Sequence, residues 1–333
     1  MIPRPTAAPP PLRGPRLVAA EPAAWDRFID ASPQGTVFAC SDFLRAAEEP
    51  HHAWLLLNEA GTPLAGVLVP LRDGQPALFP FTMYQGIFLP PVGGVSSHHL
   101  ANWRLELFEI LLPLLTQRHD RLALALHHDL DDLRGLQWFN YHTPERGTFR
   151  FQLRYTALLD PAALVPFDDW FRQLPKGRRQ DWQKAEKAGL TVETSQDFPL
   201  LAELHRQTFL RQGEAYPEEH GRLVEGIARG MAAVNRGEML LCRRGDGFPL
   251  SAVFFLWDRR AVYYLFGANH PESRSTGSGA LLMIEAVRRW GVGGARPIDF
   301  VGINSPNRGD FKLGFNPRIV PYFEVFWQKG GDG

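Results

Sequence analysis

Arg274-Ser275-Thr276-Gly277-Ser278-Gly279-Ala280 is the stretch on which the reading of this chain turns. It follows an apolar run, Val262–Gly267, with the length and β-branched and aromatic content of a strand. It opens onto Ala280–Trp290, whose apolar spacing is that of a helix. A glycine-rich loop between a strand and a helix aims backbone N–H groups and the positive end of the helix dipole at an anion. Glycines let that anion approach the backbone without meeting a Cβ. Arg274, Gly277, Ser278 and Gly279 are therefore expected to hold a phosphate-bearing co-substrate, and a pyrophosphate fits there.

Outward from the loop, the second half reads as helices over Pro199–Gln212 and Glu218–Ala233, then strands over Glu238–Arg243, Leu250–Trp257 and Arg260–Ala268. After the helix come a short strand, Pro297–Phe300, a loop or turn at Gly309–Gly314, and a last strand, Tyr322–Gln328. An antiparallel meander before a helix predicts an α/β sandwich of the α+β kind, with mixed, largely antiparallel sheets and flanking helices. The first half gives a poorer version of the same series. A hairpin runs through Ala53–Asn58 and Leu64–Leu71, a helix spans Asn102–Arg118, and strands follow at Leu122–Leu126 and Phe149–Leu159. Two related α/β units are expected, the first degenerate: a Pro-rich tail at 1–16, one domain at 17–160 and another at 161–333.

Composition narrows the class. The 333 residues carry 36 Lys plus Arg and 36 Asp plus Glu. No global field draws the chain to nucleic acid or to an anionic membrane, so a polyanion would have to meet a local patch. No apolar run reaches the ~20 residues of a membrane-spanning helix. The two cysteines, Cys40 and Cys242, stand apart among apolar neighbours. A cytoplasmic, reducing setting is expected. The paired histidines His51-His52, His98-His99 and His127-His128 lack metal-ligand spacing, and no metal is predicted.

Several further pieces add to the loop. They are Arg178-Arg179…Lys184-Ala185-Glu186-Lys187, Ser251-Ala252-Val253-Phe254, Val262–Ala268, Ile298-Asp299-Phe300-Val301-Gly302, Phe311-Lys312-Leu313-Gly314-Phe315 and Tyr84-x-Gly86. Together they resemble the Fem-type peptidoglycan bridge aminoacyltransferases and their relatives with GNAT-type N-acyltransferase domains. The Arg-x-x-Gly-x-Gly loop resembles the acetyl-CoA pyrophosphate loop of that superfamily.

The resemblance implies two tandem GNAT-like domains and transfer of an acyl or aminoacyl group to an amine of a cell-envelope precursor or a similar metabolite. It implies aminoacyl-tRNA or an acyl-CoA as co-substrate, with a slight lean to the aminoacyl side. It also implies that Lys312, beside Phe311, stands near the reacting carbonyl. An ammonium there stabilises the oxyanion of a tetrahedral intermediate or neutralises a donor phosphate. Asp299 is the first candidate for the base that the amine needs. Arg211, Tyr216, Tyr264 and Tyr84 are acceptor-binding candidates.

The basic run Lys176–Lys187, with Trp182 interleaved, is a candidate tRNA contact. This chain lacks the long charged helical hairpin that some bridge-forming members carry for tRNA. The alternatives are an acetyl-CoA-dependent N-acetyltransferase acting on a small molecule or sugar, and a non-catalytic binding module on the same fold. Two domains in one chain permit a monomer.

Overall fold

The computed structural model describes residues 8–292, 294 and 296–330. The predicted tail at 1–16 lies partly outside them. In chain order the elements are β1 (Arg16–Ala19), α1 (Pro22–Ala31), α2 (Ser41–Ala46), β2 (His51–Leu57), β3 (Pro63–Arg72), β4 (Gln75–Pro76), β5 (Ile87–Phe88) and α3 (Ser97–Thr116). There follow β6 (Arg121–Ala125), α4 (Arg134–Gln137), β7 (Arg150–Leu159), α5 (Phe167–Gln173), α6 (Lys176–Lys187), β8 (Thr191–Ser195), α7 (Phe198–Arg211) and α8 (Glu218–Ala233). The series ends with β9 (Gly237–Arg243), β10 (Pro249–Trp257), β11 (Val262–Asn269), α9 (Ser278–Ala286), β12 (Ile298–Asp299), α10 (Pro306–Leu313) and β13 (Arg318–Gln328). The chain divides into two compact units. One contains 1–44, 49–154 and 321–333, and the other contains 45–48 and 155–320.

In the first unit, β1, β2 and β3 pair in sequence as antiparallel neighbours, and β5 adds to β3. β6 pairs antiparallel with the end of β13, setting Leu124 opposite Val325. The apolar face of α3, with Leu107, Leu111 and Leu115, is buried in a core that also takes Val67, Leu124, Val325 and Trp327. A second, smaller core gathers Trp25, Phe28, Leu55 and Leu68 beside α1. Trp25 satisfies its buried ring N–H on the Ala39 carbonyl at 2.7 Å. Helix α3 starts five residues before the sequence expectation because the Ser96 side chain caps it, accepting from the His99 amide.

The second unit is built on β8, β9, β10, β11, β12 and the end of β7 from Tyr155, in the spatial order β7-β12-β11-β10-β9-β8. The β8–β11 strands form an antiparallel meander, β12 joins β11 in parallel, and β7 pairs antiparallel with β12. Alternation along β10 serves two faces. Phe254 faces α7, edge-on to Phe198 at 6.3 Å, while Phe255 stacks on Tyr264 at 5.3 Å. The Phe255 face carries α9, whose Leu281, Leu282, Met283 and Ile284 are all buried, with Ala185 of α6 in the same cluster. Apolar residues all round α9 are what a helix between a sheet and a second helix requires.

Two further elements differ from the sequence reading. The expected helix Ala280–Trp290 is α-helical only to Ala286, and a π-helical turn takes Val287–Gly291. The short stretch at Gly309–Gly314 belongs to a full helix, α10, which Pro306 starts at the first helical position where its missing N–H costs nothing.

Candidate active site

The parallel pairing of β11 and β12 extends over two residue pairs, Val262 with Ile298 and Tyr263 with Asp299. Beyond them the strands part, and Tyr264 and Phe300 stand on either side of a fork with their rings 6.3 Å apart, edge to face. Three elements converge on this fork: the glycine-rich loop with the start of α9, the turn after β12, and α10.

The loop is held by short polar contacts. Ser278 is buried, and its hydroxyl lies 2.7 Å from that of Ser251 and 3.1 Å from that of Thr276. Ser251 in turn donates to the Asn269 side-chain carbonyl at 2.8 Å. The Ser278 amide is taken by Thr276 Oγ1 at 3.2 Å. The amides of Gly279 and Ala280, next in the first turn of α9, have no acceptor within the helix. Ser278 thus fastens the loop from inside, while Gly279 presents its amide at the helix start.

The two glycines of the motif do different work. Gly277 has φ +83°, and a Cβ there would lie 1.9 Å from the Asp181 carbonyl oxygen of α6. Its lack of a side chain lets α6 lie against the loop. A Cβ on Gly279 would meet nothing closer than the Phe311 ring at 3.6 Å, with Asn269 Oδ1 at 3.8 Å, in ordinary contact.

Lys312 projects from α10 into the fork. Its ammonium donates to the carbonyl oxygens of Val301 at 2.9 Å and Gly302 at 2.8 Å, and it lies 5.4 Å from the centre of the Tyr264 ring. Burial pulls its pKa down to about 8, with Asp299 holding it up and Arg308 pressing it further down. Phe311 turns to the loop side, edge-on to Phe315 at 5.4 Å and under the Arg178 guanidinium at 4.5 Å.

The other sequence candidates divide. Asp299 is 1% exposed, and its Oδ1 accepts from Thr156 Oγ1 at 2.5 Å and from the Val301 amide at 2.8 Å. It is built into the turn, and the expectation of an open general base is corrected by these bonds. Tyr264 is buried against Phe255, which pushes its phenol well above the usual range; its hydroxyl is directed at Gly267, where a Cβ would lie 2.0 Å away. It serves as the floor under Lys312.

Tyr216 lies 3.0 Å by its hydroxyl from His205 Nδ1, and burial raises it to about 12. Arg211, at the end of α7, is held below the usual arginine range by burial and by the nearby charge of Arg274. Thr208, one turn earlier, exchanges bonds with the Asn269 backbone and so fixes the end of α7 beside the loop. Arg211 therefore keeps company with the phosphate-binding candidates. Tyr84, in the first unit, is 1% exposed and packed between His127, His128 and Tyr322. Its ring is interior, which corrects the expectation of a substrate contact.

The basic run is split. Arg178 pairs with Asp181 at 3.1 Å, Arg179 donates to the Leu174 carbonyl, and Trp182 packs edge-on to Phe171. Lys176, Lys184 and Lys187 are exposed. Sequence reasoning missed Thr156, Ser251 and Asn269, whose partners lie 18 to 143 positions away. His127, His128 and Asp129 bring possible ligand atoms within 4.8 Å of one another. His127 Nδ1 already accepts the Asp129 amide and His128 Nδ1 lies 2.9 Å from the Asp129 carboxylate, so the histidines cap a turn. Among the described residues no helix is long and apolar enough to cross a membrane.

Residues 173–313 match the acetyltransferase (GNAT) domain family. No curated protein matches the sequence. Among solved structures, FemX aligns with a TM-score of 0.64 at 13% identity, covering 92% of this chain and 96% of its own. A tandem GNAT protein from the clavulanic acid biosynthesis pathway aligns at 0.53 with 12% identity, covering 96% of this chain and 100% of its own. A conserved protein of unknown function from Bacteroides thetaiotaomicron VPI-5482 gives 0.59 at 12% identity, covering 94% and 99%. At such identities these likenesses concern the fold, and together with the family match they make it one of two GNAT-like domains. Residues 173–313 thus match a GNAT acetyltransferase domain, on a chain whose fold is shared with FemX and the tandem GNAT protein.

Proposed function

We propose that this chain is an N-acyltransferase that takes an acyl group from a phosphate-bearing carrier at the Arg274–Gly279 loop and passes it to an amine in the fork between β11 and β12. The observation that carries the reading is the position of Lys312 in that fork, over Tyr264 and next in sequence to Phe311, whose ring lies against Gly279 of the loop. Attack of a neutral amine on the acyl carbonyl forms a C–N bond and places negative charge on the carbonyl oxygen. The Lys312 ammonium is the cation available to that oxygen. Collapse breaks the bond to the carrier, which leaves as a thiol or an alcohol after protonation. The nucleophile's proton goes to solvent or to a group on the substrate, because Asp299 is committed to the turn.

Of the two carriers, an acyl-CoA is favoured by the loop pattern and by the use of Arg178 and Arg179 within the domain. Aminoacyl-tRNA is the second reading, favoured by the Phe311-Lys312 pair and by the exposed lysines of α6. The acceptor class, an amine of a cell-envelope precursor or a similar metabolite, rests on the Fem-type resemblance.

Calorimetric titration of the full chain with acetyl-CoA tests the donor. Micromolar binding that is lost in Arg274→Glu and Gly279→Val supports acyl-CoA. Gly279 is the proper control because a side chain at Gly277 disturbs α6 directly. Absence of binding to the folded protein, with retention of an aminoacyl-tRNA on filters, would replace acyl-CoA by the tRNA carrier. Failure of both would remove the acyl-transfer reading.

A further inference from the structure

The turn that receives Lys312 is an unusual piece of backbone. Val301 has φ +50° and Gly302 has φ +71°. Two successive left-handed residues reverse the chain just after β12 so that both carbonyls face the lysine ammonium. A β-branched side chain in that region is a costly conformation, kept only where its surroundings over-determine it.

Two buried side chains provide that constraint. Asp299 Oδ1 accepts the Val301 amide at 2.8 Å. Thr156 Oγ1 accepts the Gly302 amide at 3.3 Å and donates to Asp299 Oδ1 at 2.5 Å. Thr156 is fully buried on β7, and Asp299 is 1% exposed on β12. Beyond the turn, Asn304 bonds both the N–H and the carbonyl of Tyr155, which fastens the exit of the turn to the same strand. Thr156, Asp299, the two amides, the two carbonyls and the ammonium therefore form one chain of contacts between β7 and Lys312.

We infer that Thr156 and Asp299 are positioning residues, which set the place and the charge of Lys312 by holding the Val301–Gly302 turn. This rests on the reading that Lys312 meets the charge developing on the acyl carbonyl. The groups facing the ammonium are those two carbonyls, the Tyr264 ring of β11, Asp299 of β12, and Arg308 one helical turn back on α10. Arg308 is itself paired with Glu214 at 3.2 Å.

The chain has five lysines, Lys176, Lys184, Lys187, Lys312 and Lys329, so each can be followed separately. Trace labelling of the full chain with acetic anhydride across pH, read by peptide mass spectrometry, gives the titration midpoint of each amine. Lys312 is expected to label with a midpoint of about 8. Thr156→Val keeps the buried volume and removes the hydroxyl. The carbonyls then lose their fixed aim while burial remains, and the midpoint falls by about one pH unit.

Thr156→Ser retains the wild-type midpoint. Asp299→Asn, which also serves if the valine variant folds poorly, lowers the midpoint by removing the nearby negative charge. Ile227→Val, a core change elsewhere in the unit, leaves Lys312 in place. A midpoint that stays or rises in both Thr156→Val and Asp299→Asn overturns the inference, and so does an equal fall in Ile227→Val. Donor turnover by Lys312→Met, run alongside, separates the two levels. Wild-type turnover there would remove the catalytic reading of Lys312, whereas the labelling shift reports on the positioning alone.

Discussion

The glycines of the Arg274–Gly279 loop should respond to the same substitution with opposite signs. Gly277→Ala forces a side chain into a left-handed residue at φ +83°, which costs about 1–2 kcal/mol. The new methyl would also stand 1.9 Å from the Asp181 carbonyl oxygen, where ordinary contact begins at 3.4 Å. The obstacle is backbone in the middle of α6, which cannot rotate away, so an overpacking cost of about 1–3 kcal/mol is added. A loss of about 2–5 kcal/mol is expected from the two effects. Gly279→Ala adds a methyl at ordinary contact distance from Phe311, within a helix. There alanine is favoured over glycine by roughly 0.5–1 kcal/mol.

Urea unfolding of the two variants, with hydrogen exchange of peptides from α6 and α9, measures both. Gly277→Ala should unfold at lower urea with faster exchange in α6, and Gly279→Ala should match or exceed wild type. If Gly277→Ala lies within about 1 kcal/mol of wild type, or if both variants lose alike, the packing of α6 on the loop is wrong as described.

Four further outcomes follow from three buried groups. Lys312→Met leaves the Val301 and Gly302 carbonyls without their donor, so a stability loss of about 1–3 kcal/mol should accompany a fall in acyl transfer of about 10²–10³. Wild-type transfer should decline as pH rises through about 8, where the ammonium loses its proton; a rate that climbs past that pH contradicts a charged role. His205 is kept neutral by burial, to about 3, so the unfolded chain binds the extra proton first. Its contribution to stability is present above the ordinary histidine range and is lost as pH falls toward 3, and His205→Phe should flatten that acid limb in urea titrations. Glu49 is raised to about 8 by burial, with Gln85 as its donor at 2.9 Å. The stability it holds below the ordinary carboxylate range is lost as pH rises through 8. Glu49→Gln should therefore make stability between pH 5 and about 8 less pH-dependent, and an unchanged slope would show that the carboxyl is already ionised.

What the sequence determined by itself is local. Periodicity in Glu218–Ala233, the apolar run Leu250–Trp257 and the glycines before Ala280 each express a preference of a few adjacent residues, and the elements appear where those preferences lie. The strand–loop–helix order also suffices to predict an anion site, because helix starts expose donors whatever surrounds them. A capping Ser96 and a Pro306 at the first helical position mark the starts of α3 and α10 by the same local preferences.

Tertiary structure decided the rest. Asp299 is a candidate base in the sequence because its strand faces the acyl site in the family that the chain resembles. Only the approach of Thr156, 143 positions earlier, commits it to a turn. Tyr84 read as a substrate contact, yet its ring is enclosed by His127, His128 and Tyr322. The basic run read as one patch, but a helix has an inner face, and that face takes Arg178 and Trp182. The linear boundary gave the whole last strand to the second half, whereas residues from 321 onward count with the first unit. Strand partners and buried hydrogen bonds join residues far apart in the chain, and no local preference encodes which of them meet. That is why the sequence named Lys312, and only the fold supplied the carbonyls that hold it.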